Sequence, residues 1–145
     1  MADGQTYFII LLILPMLLNF AFPAPAIVYA PYTYFGIIPI GFGIAIALWS
    51  RSLFVKSRTT LSPHETPTSL LTSGPFRISR NPIYLGMAAM LLGSAVLLGT
   101  PVAFASPALF VIIIETLLIP GEERKMEKIF GDRYRKYKGS VRQWI

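Results

Sequence analysis

The sequence predicts an all-α integral membrane protein with four transmembrane helices and a C-terminal cytoplasmic amphipathic helix. Of its 145 residues, 54% are hydrophobic and 14% are charged, which is less charge than a soluble domain of this length carries. Apolar runs occupy residues 5–22, 34–54, 83–99 and 101–119. Each is near the ~20 residues that a helix needs to cross ~30 Å of hydrocarbon. Since a backbone in lipid must satisfy its own hydrogen bonds, the runs are predicted to be helices within one membrane domain, residues 1–145.

The positive charges predict the orientation of these helices. All 13 Lys and Arg residues lie either between the end of the second run and the start of the third, or after the fourth run. Connections at 23–33 and 99–101 contain none. Because positively charged segments remain in the cytoplasm, four crossings place both termini there. The net charge of +6 is therefore attributed to topology and not to nucleic-acid binding. The two groups are Arg51, Lys56, Arg58, Arg77 and Arg80, and Arg124, Lys125, Lys128, Arg133, Arg135, Lys136, Lys138 and Arg142.

Composition also excludes several kinds of site. The chain has no cysteine, which removes disulfides, thiolate metal sites and a cysteine nucleophile. With His64 as its one histidine, no metal site is expected. The first run is preceded by Asp3 and by no Lys or Arg, so it lacks the positive start of a signal peptide and is predicted to be a retained span.

Small residues and turns predict how the helices associate. Gly36, Gly41 and Gly43 lie in the second run, where small residues allow helices to approach closely in lipid. A tight turn at 99–101 predicts that the third and fourth runs form an antiparallel hairpin. Between the second and third runs, residues 55–80 are predicted to form a polar cytoplasmic loop.

The last segment, residues 121–138, is predicted to be a single amphipathic helix. Apolar side chains recur there at helical spacing, whereas the basic residues take the opposite face. We expect this helix to lie on the membrane surface or to cover the loop before the third span. The apolar set is Met126, Ile129, Phe130, Tyr134 and Tyr137, and Trp144 with Ile145 is expected to anchor the end.

The start of the third span has the features of a ligand site. Asn81 is expected to cap the helix through its side-chain oxygen, and Pro82 suits the first helical position. Arg77 and Arg80 place positive charge at the membrane surface, while Phe76 and Tyr84 add aromatic rings. A helix start with cations and rings beside it suits an anionic, partly aromatic ligand.

A carboxylate in the fourth run allows two interpretations. Glu115 lies about one turn from the inner end, so it either reaches the interface or remains at depth, where a carboxylate costs roughly 2.5–3.5 kcal/mol. In the second case the chain would be a small four-span transporter that uses Glu115 as a proton site.

Two groups of residues near the cytoplasmic face resemble the isoprenylcysteine carboxyl methyltransferase family and the related phospholipid methyltransferases. The first group comprises residues 70–76 and 79–86, and the second comprises 122–124 and 130–134, with Tyr137 and the closing residues 141–145. The order, spacing and topology of these motifs agree with the family over residues 56–145.

The resemblance implies an integral-membrane methyltransferase that uses S-adenosylmethionine to methylate a lipophilic acceptor. In relatives, the cofactor is held at positions that correspond here to Thr68, Ser69, Leu70, Leu71, Phe76, Asn81, Pro82, Ile83, Tyr84 and Glu122. Arg80 and Glu123 are the predicted catalytic residues: Arg80 suits the cofactor carboxylate, and Glu123 or Glu115 would be the base if the acceptor were an amine.

Departures from the family pattern concern the cofactor site and the acceptor. The eukaryotic enzyme has His at the positions of Thr68 and Asn81 and Tyr at that of Phe76. It also has a substrate-contacting Arg at the position of Leu118, and no cation lies between Arg80 and Arg124 here. Carboxyl O-methylation of an isoprenylcysteine and N-methylation of a phospholipid amine therefore stay open, and a neutral or amine acceptor is expected to fit better.

Overall fold

A computed structural model of the chain describes residues 3–59 and 65–145. Across these residues it is all-helical, as predicted, with a 3₁₀ turn at Tyr32–Gly36, another at Gly74–Arg77, and a π-helical segment at Ile114–Leu118. His64 and the rest of residues 60–64 lie outside the described part of the polar loop. The α-helices are α1 (Gly4–Ala21), α2 (Ile37–Lys56), α3 (Pro82–Leu98), α4 (Pro101–Ile113), α5 (Ile119–Phe130) and α6 (Asp132–Ser140).

Within residues 3–59 and 65–145, three helical stretches are long and apolar enough to cross a membrane. They are Gly4–Ala21, Tyr32–Lys56 and Pro101–Phe130, the last of which runs from α4 through the π segment into α5. The remaining apolar helix, α3, has 17 residues. At about 1.5 Å per residue α3 is roughly 26 Å long, slightly less than a hydrocarbon core of ~30 Å. A fourth crossing by α3 therefore stays a prediction.

Helices α2 and α3 pack against each other through two pairs of glycines. A Cβ atom built on Gly43 would lie 2.4 Å from the carbonyl oxygen of Gly86, and one on Gly36 would lie 2.3 Å from that of Gly93. Both pairs are reciprocal, because a Cβ on Gly86 or Gly93 meets the carbonyl of its partner at 2.7 or 2.4 Å. The seven-residue spacing is about two helical turns, so antiparallel helices contact twice along one face. Only glycine permits this approach of the two backbones.

The main core lies between α1, α3 and α4 and extends to the start of α5. Leu91, Phe110 and Ile114 are fully buried there, and the ring of Phe8 meets that of Phe110 edge-on with centroids 6.3 Å apart. The predicted α3–α4 hairpin is confirmed, with Gly99 in the left-handed region at φ +67°. At the opposite end of the bundle, Gly4 packs against the ring of Tyr84, so α1 begins beside the start of α3.

The prediction of one tail helix over 121–138 is wrong in two respects. Gly131, at φ +53° and ψ −128°, interrupts it and separates α5 from α6. Such a backbone conformation is accessible to glycine at little steric cost. In addition, α5 does not begin as a separate helix but continues from α4 through the π segment. Pro120 lacks an N–H and crowds the carbonyl one turn earlier, and a widened turn just before it accommodates this proline.

Candidate functional site

Two of the residues predicted to bind the cofactor, Tyr84 and Glu122, meet at the end of the bundle where α3 and α5 begin. The Tyr84 hydroxyl donates a 2.6 Å hydrogen bond to Glu122 Oε1. Tyr84 lies in the first turn of α3 and Glu122 in the first turn of α5, and both are partly buried. The tertiary structure thus joins two predicted cofactor contacts that are 38 residues apart in the sequence.

Arg80 and Glu123, the two predicted catalytic residues, form an ion pair with each other. Arg80 Nη2 lies 3.0 Å from Glu123 Oε1, and the two side chains are 10% and 13% exposed. Lys138 of α6 approaches the other oxygen of Glu123 at 2.7 Å and also pairs with Glu127 at 2.9 Å. These hydrogen bonds raise the pKa of Lys138 above its usual range. Both carboxylate oxygens of Glu123 are thus in contact with cations, and this geometry favours a positioning role for Glu123.

The C-terminal segment 141–145, which we call the C-terminal strap, lies along the residues that precede α3. The backbone N–H of Arg80 donates to the carbonyl of Arg142 at 3.0 Å, and Ser79 Oγ donates to the carbonyl of Gln143 at 3.0 Å. The strap therefore binds this segment through its own backbone. The sequence motifs did not predict the contact of Lys138 with Glu123 or those of Gln143 with Ser79 and Asn81. Gln143 nevertheless belongs to the closing segment on which the resemblance partly rests.

Asn81 occupies the N-cap position, but the expected side-chain cap is absent. Its side chain makes no capping hydrogen bond, and Asn81 Nδ2 donates to the carbonyl of Gln143 at 3.4 Å. The prediction is wrong because the strap offers the amide a partner from a distant part of the chain. Pro82 is buried at the first turn, as expected, and Ile83 packs against the main core.

A second hydrophobic cluster contains three other residues that were predicted to bind the cofactor: Leu70, Leu71 and Phe76. Phe76 is 7% exposed and meets Phe54 edge-on, with ring centroids 5.6 Å apart. Its carbonyl accepts a 2.7 Å hydrogen bond from the Tyr137 hydroxyl. Leu70 and Leu71 pack against the same cluster, which joins the polar loop to α6. The ring of Phe76 is thus covered by protein.

Burial shifts the ionisation of the tyrosines in this second cluster. It raises the pKa of Tyr134 to about 12, and the nearby carboxylate of Glu123 acts in the same direction. The pKa of Tyr137 is raised as well, again mainly by burial. Both phenols therefore stay neutral at physiological pH and act as packing and hydrogen-bonding groups.

Thr68 and Ser69 lie at the far side of the polar loop, against the end of α2. Thr68 donates from its hydroxyl to the carbonyl of Arg58 at 3.1 Å and from its backbone to Thr59 Oγ1 at 3.0 Å. Ser69 Oγ is buried and lacks a hydrogen-bond partner in the described part of the chain. The predicted set is therefore divided into three groups: 68–69, the cluster of Phe76, and the start of α3 with Glu122.

Some of the buried polar atoms suit a polar cofactor. Besides Ser69 Oγ, the side-chain nitrogens Gln143 Nε2 and Trp144 Nε1 are buried and have no hydrogen-bond partner within residues 3–59 and 65–145. Buried polar atoms are rarely left unpaired in proteins. Together with the partly buried carboxylate of Glu122, they supply donors and an acceptor for a ligand with a carboxylate, an amine and hydroxyls.

Comparison with known proteins places this arrangement in a family. The family model described as phospholipid methyltransferase matches residues 32–133, which is more than half of the chain. The chain belongs to the phospholipid methyltransferase family. This confirms the predicted family and identifies the chain as a membrane methyltransferase, in agreement with its three apolar spans. The matched stretch includes Tyr84, Glu122 and Glu123 and ends before the C-terminal strap.

A bacterial relative adds a second comparison. An uncharacterized protein of Haemophilus influenzae (strain ATCC 51907 / DSM 11121 / KW20 / Rd) is 36% identical over 63 residues, which cover 43% of this chain and 100% of that protein. No solved structure matches the chain.

Proposed function

We propose that this phospholipid methyltransferase family member uses S-adenosylmethionine to methylate a lipophilic acceptor at the end of the bundle where α3 and α5 begin. The observation that carries the proposal is the Tyr84–Glu122 hydrogen bond of 2.6 Å, which joins two of the predicted cofactor residues inside the family-matched stretch. When bound, the cofactor supplies an activated methyl group on a cationic sulfonium.

The chain's own residues supply binding and exclusion of water. Glu122 offers a carboxylate for the cofactor amine or ribose, and Tyr84 holds that carboxylate in place from α3. The buried core beside them, which includes Ile119, limits access of water from the bundle side. Orientation of donor and acceptor in a dry site is a large source of acceleration for a displacement of this kind.

Arg80 and Glu123 are proposed to position these groups and not to transfer protons. Their ion pair links the start of α3 to the first turn of α5, and Lys138 extends the link to α6. This keeps Tyr84, in the first turn of α3, and Glu122, which adjoins Glu123 on α5, at hydrogen-bonding distance.

The charge distribution favours an acceptor whose reacting group is an amine or a neutral nucleophile. Leu118 takes the place of the cation expected for a carboxylate acceptor, and it packs against the main core. Arg80 is committed to Glu123, while Arg124 is exposed and donates to the carbonyl of Pro120 at 3.1 Å. A carboxylate acceptor in this low-dielectric region would lack a partner, which is costly. Isoprenylcysteine carboxyl methylation is therefore the less favoured alternative.

A polar cleft beside α6 supports a phospholipid as the source of that amine. The cleft has a volume of about 560 Å³ and includes the exposed cations Arg77 and Lys136 and the hydroxyl of Thr72. Cations and a hydroxyl are suitable contacts for a headgroup phosphate. It is bordered by Tyr137 and Val141, so it adjoins the second hydrophobic cluster.

The transporter interpretation receives little support from the position of Glu115. This side chain is on the exposed face of the π segment and not inside the bundle. A proton site for transport is expected to face the bundle interior or a water-filled cavity.

Calorimetric titration of the detergent-solubilised protein with S-adenosylmethionine tests the proposal. We expect saturable binding, followed by transfer of a radiolabelled methyl group to an aminophospholipid. Parallel reactions with a prenylcysteine and with small hydrophobic thiols and phenols identify the acceptor class. Absence of binding would contradict the proposal, and efficient turnover of the prenylcysteine alone would show that the missing cation at Leu118 does not decide the acceptor.

A further inference from the structure

The C-terminal strap is held in place without the polar ends of the Gln143 and Trp144 side chains. Its hydrogen bonds to Ser79, Arg80 and Asn81 all use the backbone carbonyls of Arg142 and Gln143. Its apolar contacts come from Val141, which packs on the second hydrophobic cluster, and from Trp144, which packs on the main core. The amide of Gln143 and the indole N–H of Trp144 contribute to none of these hydrogen bonds.

The amide nitrogen of Gln143 and the indole nitrogen of Trp144 are nevertheless both buried. Gln143 Nε2 and Trp144 Nε1 are shielded from solvent and have no acceptor in the residues that the structure describes. Leaving a buried donor unpaired is unfavourable, because the group has lost its hydrogen bonds to water and gained none in return. Gln143 and Trp144 are consecutive, and each has a buried N–H donor without an acceptor in the described residues. The strap that carries them is hydrogen-bonded to the residues that precede α3. This combination indicates that a bound molecule supplies the acceptor.

We propose that Gln143 and Trp144 are cofactor-binding residues, and that their side-chain N–H groups donate hydrogen bonds to S-adenosylmethionine. This inference rests on the proposed function and extends it to a segment beyond the family-matched residues 32–133. The strap then completes the site beside the start of α3: its backbone binds residues 79–81, and its side chains bind the ligand. The acceptor atoms are oxygens or ring nitrogens of the cofactor, which a carboxylate, a ribose and an adenine all provide.

Binding of S-adenosylhomocysteine to two variants that lack these donors tests this inference. Gln143→Leu and Trp144→Phe remove the N–H groups; leucine is close to glutamine in size and phenylalanine keeps an aromatic ring, so the strap should still pack. We expect each to weaken binding about 3- to 10-fold, as lost hydrogen bonds do, without lowering the thermal unfolding midpoint of the ligand-free protein. Trp49→Phe is the matched control, because Trp49 lies on α2 and is half exposed, and its affinity should equal that of the unmodified protein.

Methylthioadenosine, which lacks the amino-acid part of the cofactor, locates the contact. If the donors bind the carboxylate, the variants lose affinity for S-adenosylhomocysteine and not for methylthioadenosine. If they bind the nucleoside, affinity for both ligands falls. Either result supports the inference, whereas affinities within twofold of the unmodified protein for both variants would overturn it.

Fluorescence of Trp144 gives a second readout that requires no substitution within the strap. The chain contains two tryptophans, so the Trp49→Phe protein reports on Trp144 alone. Saturating S-adenosylhomocysteine should shift its emission, and an unchanged spectrum would overturn the inference even if the other variants failed to fold. Failure of the unmodified protein to bind S-adenosylhomocysteine would overturn the proposed function as well, whereas normal binding by the folded variants would overturn only this inference.

Discussion

Arg80 Nη2 lies 3.0 Å from Glu123 Oε1, and this largely buried ion pair holds the start of α3 against α5. Removal of one partner leaves an uncompensated charge in a poorly solvated place, which typically costs about 3–5 kcal/mol. The pair therefore matters to the arrangement of the site even if neither residue touches the reacting atoms.

We expect Glu123→Gln to lower the stability of the protein by an amount near the lower end of that range, because Arg80 loses its anionic partner and Lys138 keeps only Glu127 of its two. Thermal unfolding in detergent measures this. The double variant Arg80→Met, Glu123→Leu should recover much of the loss, since no charge is then left unpaired. If Glu123→Gln leaves stability unchanged and abolishes methyl transfer alone, Glu123 has a direct chemical role.

Glu122→Gln should weaken binding of S-adenosylmethionine about ten- to a hundredfold, because a charge-assisted hydrogen bond is worth about 1.5–3 kcal/mol. Glu115→Gln is the control: its side chain is on the exposed face of the π segment, and binding should not change. Calorimetry on both variants makes the comparison. Normal binding by Glu122→Gln would remove Glu122 from the cofactor site.

Gly43→Ala should destabilise the α2–α3 contact, whereas Gly41→Ala should not. A Cβ on Gly43 would lie 2.4 Å from the backbone carbonyl of Gly86, but one on Gly41 meets nothing within 4 Å. The helices would have to separate, at a cost of about 1–3 kcal/mol. Unfolding midpoints of the two variants in the same detergent test this, and equal midpoints would contradict the close packing of these helices.

Stability should fall as pH rises from about 10 to about 12, in part because of Tyr134. Burial raises the pKa of Tyr134 to about 12, while an unfolded tyrosine ionises near its ordinary value of about 10. Below the unfolded value both states are neutral and the contribution is fully present. Between the two values only the unfolded state loses its proton, so the folded state is progressively disfavoured.

Tyr134→Phe should make this alkaline loss of stability shallower, because phenylalanine does not ionise. Unfolding by denaturant at several pH values between 8 and 12 provides the measurement, with pH 8 as the reference for any packing defect. A slope equal to that of the unmodified protein would exclude Tyr134 as a contributor.

Membrane topology is tested by single cysteines at residues 30 and 60, since the natural chain has none. Four crossings place these positions on opposite sides, and residue 60 lies outside the described residues. An impermeant thiol reagent applied to one side of sealed vesicles should label one of them. Labelling of both from the same side would contradict the four-span topology with cytoplasmic termini.

Local sequence patterns were sufficient for much of this fold. Hydrophobic run length and composition predicted the apolar helices, and glycine positions predicted a close contact of the second span, as the pairs Gly36–Gly93 and Gly43–Gly86 confirm. The motifs around Asn81 and Glu122 predicted the family. These properties are encoded within one helix or one short segment, so they can be read along the chain.

Side-chain contacts between segments that are distant in the sequence could not be predicted in this way. These contacts depend on how each helix is rotated about its axis when it packs. Examples are the pairing of Tyr84 with Glu122, of Arg80 with Glu123, and of Phe76 with Phe54. The continuation of α4 into α5 and the break at Gly131 likewise depend on backbone geometry around Pro120 and on contacts of α6. Periodicity and composition determine which face of a helix is buried. Long-range packing decides which atoms of other segments the side chains on that face contact. At this site that packing joins α3, α5 and the C-terminal strap.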